Sequence, residues 1–525
     1  MHELQLLLVT HGLAPPVDRP QRLAGLLSGA VEMEVCEPSI AGADRAIYFL
    51  ARSAYDKHLG VAYDAASPPP AAEAFEGTVE TRELAGVEVA IKLCRRTHGN
   101  AAALRRHLPF LQPCCLGLDR SFGLGDRLGL ATPGHVRAVR GSGLRPVFAQ
   151  QSVREMTRTG RTPPDVLDDA TWGLLQEGWR EPHGADADHL KTLGDVDRCL
   201  DAGFTLFTID PGDHVDDGAA ELPPEPLVQA FRNLPWDALE SSPDDCIAAY
   251  ADRPAHVEGD LVVELDEEAL MRAAVKYGAA VAHTAMLARH LAERAGERAV
   301  ELEVSVDETA TPTTPQEHYL VARELRRLGV SWVSLAPRFE GRFEKGVDFQ
   351  GDLGAFERSF AQHAAIARAL GPYKLSIHSG SDKFAVYPLA ARLAGDLLHV
   401  KTAGTSYLEA LRTVGRVAPD LLREVLDFAC ERYEDDRATY HVSASLGQVP
   451  RTSHLDDGEL ESVLDDFHAR QVLHVTYGSV LNAEAEGGEP RFRDRLLEAL
   501  RRNEDSYTRA LQRHLGRHIE PLAKG

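Results

Sequence analysis

Short apolar runs recur along this chain, and each ends on a charged or hydrogen-bonding side chain. They are PVFAQQS (146–152), FTLFTID (204–210), LEVSVDE (302–308), WVSLAPR (332–338), KLSIHSG (374–380), LLHVKTAG (397–404) and VLHVTYG (472–478). Runs of this length, rich in β-branched and aliphatic residues and without strict alternation, mark strands buried on both faces. Amphipathic stretches at 316–329 and 354–371 lie between them, the second closing on Gly371 and Pro372, a helix stop. Strand then helix, repeated, predicts right-handed parallel crossovers. We therefore expect an α/β fold, a (β/α)8 TIM-like barrel, with its reacting groups at the carboxyl ends of the strands. Asp210, Asp307, Glu308, Arg338, His378 and Lys401 all fall there. A doubly wound sheet, whose strands also end in polar loops, is the rival arrangement.

The 525 residues suffice for a large barrel with additions. With 57 basic and 80 acidic residues the formal net charge is −23, which argues against nucleic acid or an anionic membrane as partner. An anionic small substrate would need a local cationic cluster, and the basic and amide residues around 127–161 offer one. The seven cysteines show no CxxC spacing, so neither a disulfide framework nor a cysteine zinc site is expected. The start, MHELQLLLVTHGL, has no basic segment ahead of a short apolar run, unlike a secretory signal. No stretch approaches the roughly 20 apolar residues of a membrane span, and a cytoplasmic protein is expected. GLGDRLG (123–129) lacks the spacing and preceding strand of a dinucleotide loop. Assembly into a homo-oligomer is left open.

Residues 1–112, with the stretch AASPPPAA and no polar-capped buried runs, are expected to form a divergent N-terminal α/β subdomain in which 81–100 is a strand leading into a helix. Residues 113–525 are then the catalytic body. Within it, 214–265 reads as an acidic, loop-rich excursion, 266–295 as one long helix with Leu270, Ala274, Tyr277 and Val281 along a face, and 490–525 as outer helices. His283 and His290 read as ordinary helix residues.

Four strings carry the candidate chemistry. GADADHLK (184–191) crowds Asp186, Asp188 and His189 into four positions, either as a solvated acidic loop or around a divalent cation. EVSVDET (303–309) puts Glu303, Ser305 and Asp307 on one strand face, where buried carboxylates serve acid–base work or a structural ion pair. KLSIHSGSDKF (374–384) brings His378, a Gly/Ser turn, Asp382 and Lys383, and HVKTAGTSY (399–407) brings His399 and Lys401. Such strand ends bind metal or an anionic group, or else pack within barrel layers. His318 is a weaker third imidazole for the metal; His214 and His474 are further options.

Taken together, FGLGDRLGLATPGHVRA, FAQQSVRE with RTGRTPPDVLDDATWG, GADADH, TIDPGDHV, EVSVDET, EKGVDFQGDL, IHSGSDKF and HVKTAGTSYLEAL resemble the tagaturonate epimerase family from about 116 to 515. The resemblance implies metal-dependent interconversion of D-tagaturonate and D-fructuronate, a step of hexuronate catabolism. The carbon that inverts is β to the ketone, so enolisation does not acidify its hydrogen. Retro-aldol cleavage to an aldehyde and an enediolate, rotation of the aldehyde and re-addition account for the inversion, with the divalent metal as Lewis acid. On the matching positions Asp188 is implied as proton acceptor and Glu303 as proton donor. His189 and His378, extended to His318, are implied as metal ligands, and Gln150, Arg154, Lys383 and Lys401 as contacts to a small-molecule keto sugar acid. A metal-dependent aldolase and a non-catalytic sugar-acid binding protein are the competing readings.

Overall fold

The computed structural model describes residues 20–53, 56–84 and 87–523; the amino-terminal segment read above for a secretory signal lies outside them. Ahead of the barrel, Glu34–Val35 (β1), Ala41–Ala43 (β2), Ala46–Arg52 (β3), Lys57–Asp64 (β4), Thr78–Leu84 (β5) and Val87–Arg95 (β6) form an antiparallel sheet of order β1-β3-β4-β6-β5, with β2 on β3. The period of two along β3 divides its side chains between two cores. Ile47, Phe49 and Ala51 pack with Leu23 and Leu27 of the helix Pro20–Val31. Tyr48 and Leu50 join the same core as Phe122 and Phe148 of the barrel.

The barrel strands are Ser121–Gly125 (β7), Arg145–Ser152 (β8), Gly184–Leu190 (β9) and Leu206–Ile209 (β10). After a small hairpin, Ala255–Glu258 (β11) and Leu261–Val263 (β12), come Glu301–Val306 (β13), Ser334–Pro337 (β14), Lys374–Ile377 (β15) and Leu398–Thr402 (β16). All eight pair in parallel and close in the order β10-β13-β14-β15-β16-β7-β8-β9. The expected (β/α)8 barrel is therefore present, with three departures from the reading of individual runs. VLHVTYG lies in the helices Phe467–Val475 and Tyr477–Asn482. Its run is buried almost throughout, and a helix hidden on every side has the same apolar pattern as a buried strand. The two strands that complete the circle, β7 and β9, are SFGLG and GADADHL, which carry glycine, alanine and carboxylates where β-branched residues are expected.

Several barrel helices begin with a capping box. Thr162 with Asp165, Thr192 with Asp195 and Thr314 with Glu317 start the helices Pro163–Glu177, Leu193–Ala202 and Pro315–Arg327. The long helix runs Glu267–Ala295. The 214–265 segment is more ordered than its composition suggests: helices Pro224–Arg232 and Pro243–Tyr250 bury Leu227, Phe231 and Tyr250 against that long helix. Helices Arg493–Arg502 and Glu504–Ala523 close the barrel's outside. Among the described residues no helix is long and apolar enough to cross a membrane.

The glycines of β7 are spacers rather than a nucleotide loop. A Cβ on Gly125 would lie 2.8 Å from Ala403 Cα and 2.9 Å from its carbonyl oxygen, both backbone atoms with little freedom to move. Gly125→Ala is expected to cost about 1–3 kcal/mol from overpacking, read as a lowered Tm; an unchanged melt would show that the two strand ends do not approach this closely.

Candidate active site

Deep in the barrel mouth, the Lys401 ammonium at the end of β16 is ringed by acceptors. Asp186 Oδ2, Asp188 Oδ1 and Glu303 Oε1 each lie 2.7 Å from its Nζ, as does Thr208 Oγ1. Thr208 on β10 and Glu303 on β13 are register partners, so the hydroxyl sits beside the Glu303 carboxylate (3.2 Å) and reaches Asp186 Oδ1 (2.9 Å). None of these side chains is more than slightly exposed. Burial pushes Asp186 up to about 6 although Lys401 opposes it. Burial also acts upward on Asp188 and Glu303, but Lys401 and the neighbouring imidazoles prevail and hold both well below the usual carboxylate range.

A bulge delivers the imidazole of this site. Between Phe207 and Ile209 of β10 the paired residues of β9 advance from Ala187 to Leu190, one residue more than regular pairing allows. His189 takes up the excess with φ of +53°, a left-handed conformation that L-residues other than glycine seldom adopt. Regular alternation would send Asp188 and His189 to opposite faces; with the bulge both reach the mouth. His189 Nδ1 donates to Asp210 Oδ2 (3.1 Å), and its Nε2 lies 3.8 Å from Asp188 Oδ1. His378, just past β15, donates from Nε2 to Glu303 Oε1 (2.6 Å), with Nδ1 3.4 Å from Asp307 Oδ1. Burial disfavours both imidazolium ions, yet the surrounding carboxylates raise His189 to about 10 and His378 to about 9.

One ligand atom from each of Asp188, His189 and His378 can be chosen so that all lie within 4.8 Å of one another. A carboxylate oxygen and two imidazole nitrogens suit a first-row divalent ion. Two further observations fit a cation here. Among the described residues, Glu303 Oε2 and Gln150 Oε1 are buried with no hydrogen-bond partner, and the excess of carboxylates draws positive charge onto both imidazoles.

His318 does not join them. It lies buried behind the strands, with Nδ1 2.9 Å from His363 Nδ1 and Nε2 2.8 Å from the Tyr373 hydroxyl. Burial, and then His363, hold it far below the ordinary histidine range. Its place in the first turn of Pro315–Arg327 turns it toward the neighbouring helix. Lys383 is also committed elsewhere, its ammonium donating to the carbonyls of Glu344, Val347 and Ser381. Gln150 Nε2 donates to Asp188 Oδ2 (3.2 Å), and Arg154 pairs with Glu308 (2.9 Å). His399 packs beneath the site against Ser121 Oγ (2.8 Å). His474 lies beside the Gly404 turn, and His214 stacks on His283.

Asp186 and Asp210, candidates by their position at strand ends, belong to the site, and so does Thr208, to which the sequence assigns no role. Asp382, a candidate from its turn, lies instead in a second cluster whose other members the sequence does not point to. Asp382 accepts from Arg470 Nη2 (2.7 Å) and His514 Nε2 (2.5 Å), while its own amide donates to His518 Nε2 (2.9 Å). The His518 Nδ1 is taken by His514 O, so this group is a closed hydrogen-bond network that ties the helix Glu504–Ala523 to the turn after His378.

Two cavities open at this rim. A recess of about 40 Å³ is lined by Asp188, His189, His378 and Lys383, and a larger one of about 620 Å³ by Asp307, Arg338 and Tyr440. They share Lys345, His378, Ser379 and Tyr440. A third cavity, about 710 Å³, shares no lining residue with either and lies between the N-terminal sheet and the last two helices.

A closed parallel barrel with ionisable groups converging at its strand ends is the build of a barrel enzyme. Comparison with known proteins narrows the class. A family model for tagaturonate epimerase matches residues 36–522, reaching back over most of the N-terminal sheet. The tagaturonate/fructuronate epimerase of Thermotoga maritima is 44% identical over 489 residues, 93% of this chain and 97% of that protein. Crystal structures of the fructuronate-tagaturonate epimerase UxaE from Cohnella laeviribosi, native and glycerol-bound, each match with a TM-score of 0.87 at 38% identity. The matches cover 95–96% of this chain and 99% of theirs. This chain belongs to the tagaturonate epimerase family.

Removing the central ammonium has a predictable signature. Lys401→Met leaves three buried carboxylates without their cation, expected to cost about 3–5 kcal/mol at neutral pH. In the wild type the depressed Asp188 and Glu303 stabilise the fold above their unfolded pKa, and that contribution is lost as pH falls. In the variant burial raises them instead, so the deficit should shrink as pH drops from 7 towards 5. A deficit that stays constant over that range, measured by denaturant unfolding, would contradict the role given to Lys401.

Proposed function

We propose that this chain is an isomerase interconverting D-tagaturonate and D-fructuronate with a divalent metal ion, in the cytoplasm, by retro-aldol cleavage and re-addition. The observation that carries the reading is the pair Asp188 and Glu303, two carboxylates held to one ammonium in a buried barrel mouth. We read residues 113–525 as the catalytic unit and 1–112 as its support. Asp188, His189 and His378 would hold the metal, which when bound supplies Lewis acidity toward the ketone.

Asp188 takes the proton of the hydroxyl on the carbon that inverts, and the bond between that carbon and the neighbour of the ketone breaks. Glu303 protonates the new hydroxyl after the aldehyde has turned and the bond has re-formed. Both carboxylates are ionised at rest, so Glu303 must receive a proton before it can give one. Lys401, 2.7 Å from each, is placed to pass to Glu303 the proton that Asp188 gains. The roles exchange in the reverse reaction, as reversibility demands. Gln150 orients Asp188 and contacts the substrate; Arg154 flanks the mouth. Burial serves the chemistry too, since a water-free site protects the aldehyde and the enediolate from escape and stray protonation.

Proton NMR of metal-loaded protein with D-tagaturonate in heavy water tests this directly. D-Fructuronate signals should grow, without deuterium entering the inverted carbon, and a chelated sample should stay silent. Solvent deuterium at that carbon would sink the cleavage route, and no conversion would return weight to the binding-protein reading. Asp188→Asn and Glu303→Gln should each lower kcat by about 10²–10⁴-fold; variants with near wild-type kcat would remove those residues from proton transfer.

A further inference from the structure

An acidic mouth in a chain of net charge −23 must still accept a carboxylate-bearing sugar, which requires a cation that is not already neutralised. The arginines around 127–161 do not provide it. Arg127 is buried against Glu155 (2.6 Å), Arg154 pairs with Glu308 and Arg161 with Asp169 (2.6 Å). Lys401 is shared among three carboxylates, and Lys383 among three carbonyls.

Arg338 differs. It follows β14 at the rim, half-buried, and lines the 620 Å³ cavity next to Asp307 and His378. Its backbone is clamped on both sides, the amide donating to Thr313 Oγ1 (3.1 Å) and the carbonyl accepting from Thr313 N (2.8 Å). Among the described residues its guanidinium has neither an ion-pair nor a hydrogen-bond partner. Lys345, held by Ser379 Oγ (2.8 Å), lines both this cavity and the recess containing Asp188, His189 and His378. Burial lowers His441 on this rim, and the charge of Arg338 and then Lys345 adds to the lowering while Glu308 and Asp307 oppose it, so both cations act at this cavity. A cavity of this size lies within the usual range of about 300–1,000 Å³ for small-molecule sites.

We propose that Arg338, assisted by Lys345, is the carboxylate-recognition subsite that selects sugar acids over neutral ketohexoses. This inference rests on the epimerase reading for the identity of its ligand. A guanidinium presents two parallel N–H donors to a carboxylate, and a rigid backbone limits the entropy lost in forming that contact. The substrate then spans the rim, its carboxylate at the cationic lip and its reacting carbons over Asp188 and Glu303.

Equilibrium binding to the metal-loaded protein separates this subsite from turnover. The probes are D-galactonate, an open-chain hexonate without a ketone, and galactitol, its neutral counterpart. Wild type should prefer the acid by roughly 10- to 100-fold, the span expected for a charge-assisted hydrogen-bonded contact. Arg338→Gln should bring the two to near parity by weakening galactonate alone, and Arg338→Lys should keep part of the preference, both with unchanged melting. In turnover, Arg338→Gln should raise KM for D-tagaturonate far more than it lowers kcat. Equal weakening of both probes, or a wild type without preference for the acid, would overturn the assignment. Should wild type fail to interconvert the two ketoacids yet lose its galactonate preference in Arg338→Gln, the epimerase reading falls and the subsite stands.

Discussion

The ammonium of Lys401 is the interaction on which the rest of the barrel mouth depends. Asp186, Asp188 and Glu303 come from β9 and β13, and Lys401 from β16, which neighbours neither strand in the closed order. The contact therefore runs across the barrel axis. Each buried carboxylate is costly by itself, and three in one place repel strongly at low dielectric. One cation at 2.7 Å from all three turns a set of mutually repelling groups into a network in which every member fixes the others. Gly123, the register partner of Lys401 on β7, contributes by having no side chain to occupy the space on that flank.

The same electrostatics divides the mouth in two. Its floor is rich in carboxylates that attract positive charge, which is why both imidazoles are raised and why a divalent ion suits the donor set. Its lip carries Arg338 and Lys345. An anionic sugar meeting only the floor would be repelled, and one meeting only the lip would be held away from Asp188 and Glu303. The two regions meet at His378 and Ser379, so a ligand that satisfies both is drawn into one orientation.

What the sequence makes legible follows from which physical signals are local. Six of the seven apolar runs are barrel strands, because aliphatic density over five to eight residues survives any tertiary arrangement. β7 and β9 were hidden since their small and acidic residues are chosen for what lies across the barrel, a property no window of sequence contains. The helix at 467–475 reads as a strand because total burial erases the periodicity that separates the two. Among the site residues, the placement of Asp188, His189, Glu303, His378 and Lys401 together was foreshadowed by strand-end position and by resemblance. His318 turns away to a helix interface, whereas Lys383 lines the recess beside Asp188 and His378 but spends its ammonium on a nest of carbonyls. Asp186, Thr208 and Asp210 have meaning only once Lys401 and His189 are seen between them.

The bulge at His189 shows how finely that placement is set. A regular β9 would aim either Asp188 or His189 into the mouth, never both, and shifting the strand by one residue would exchange them. The extra residue resolves the conflict at the expense of a left-handed histidine, and such strain persists only where surrounding contacts over-determine it. Those contacts are present: Asp210 holds the ring from one side, and Lys401 with Gln150 holds Asp188 from the other. Strain in the backbone and charge in the core are thus coupled. The carboxylates that make the site acidic also hold the bulge in place, and the bulge is what lets a carboxylate and an imidazole from adjacent positions face the same atom.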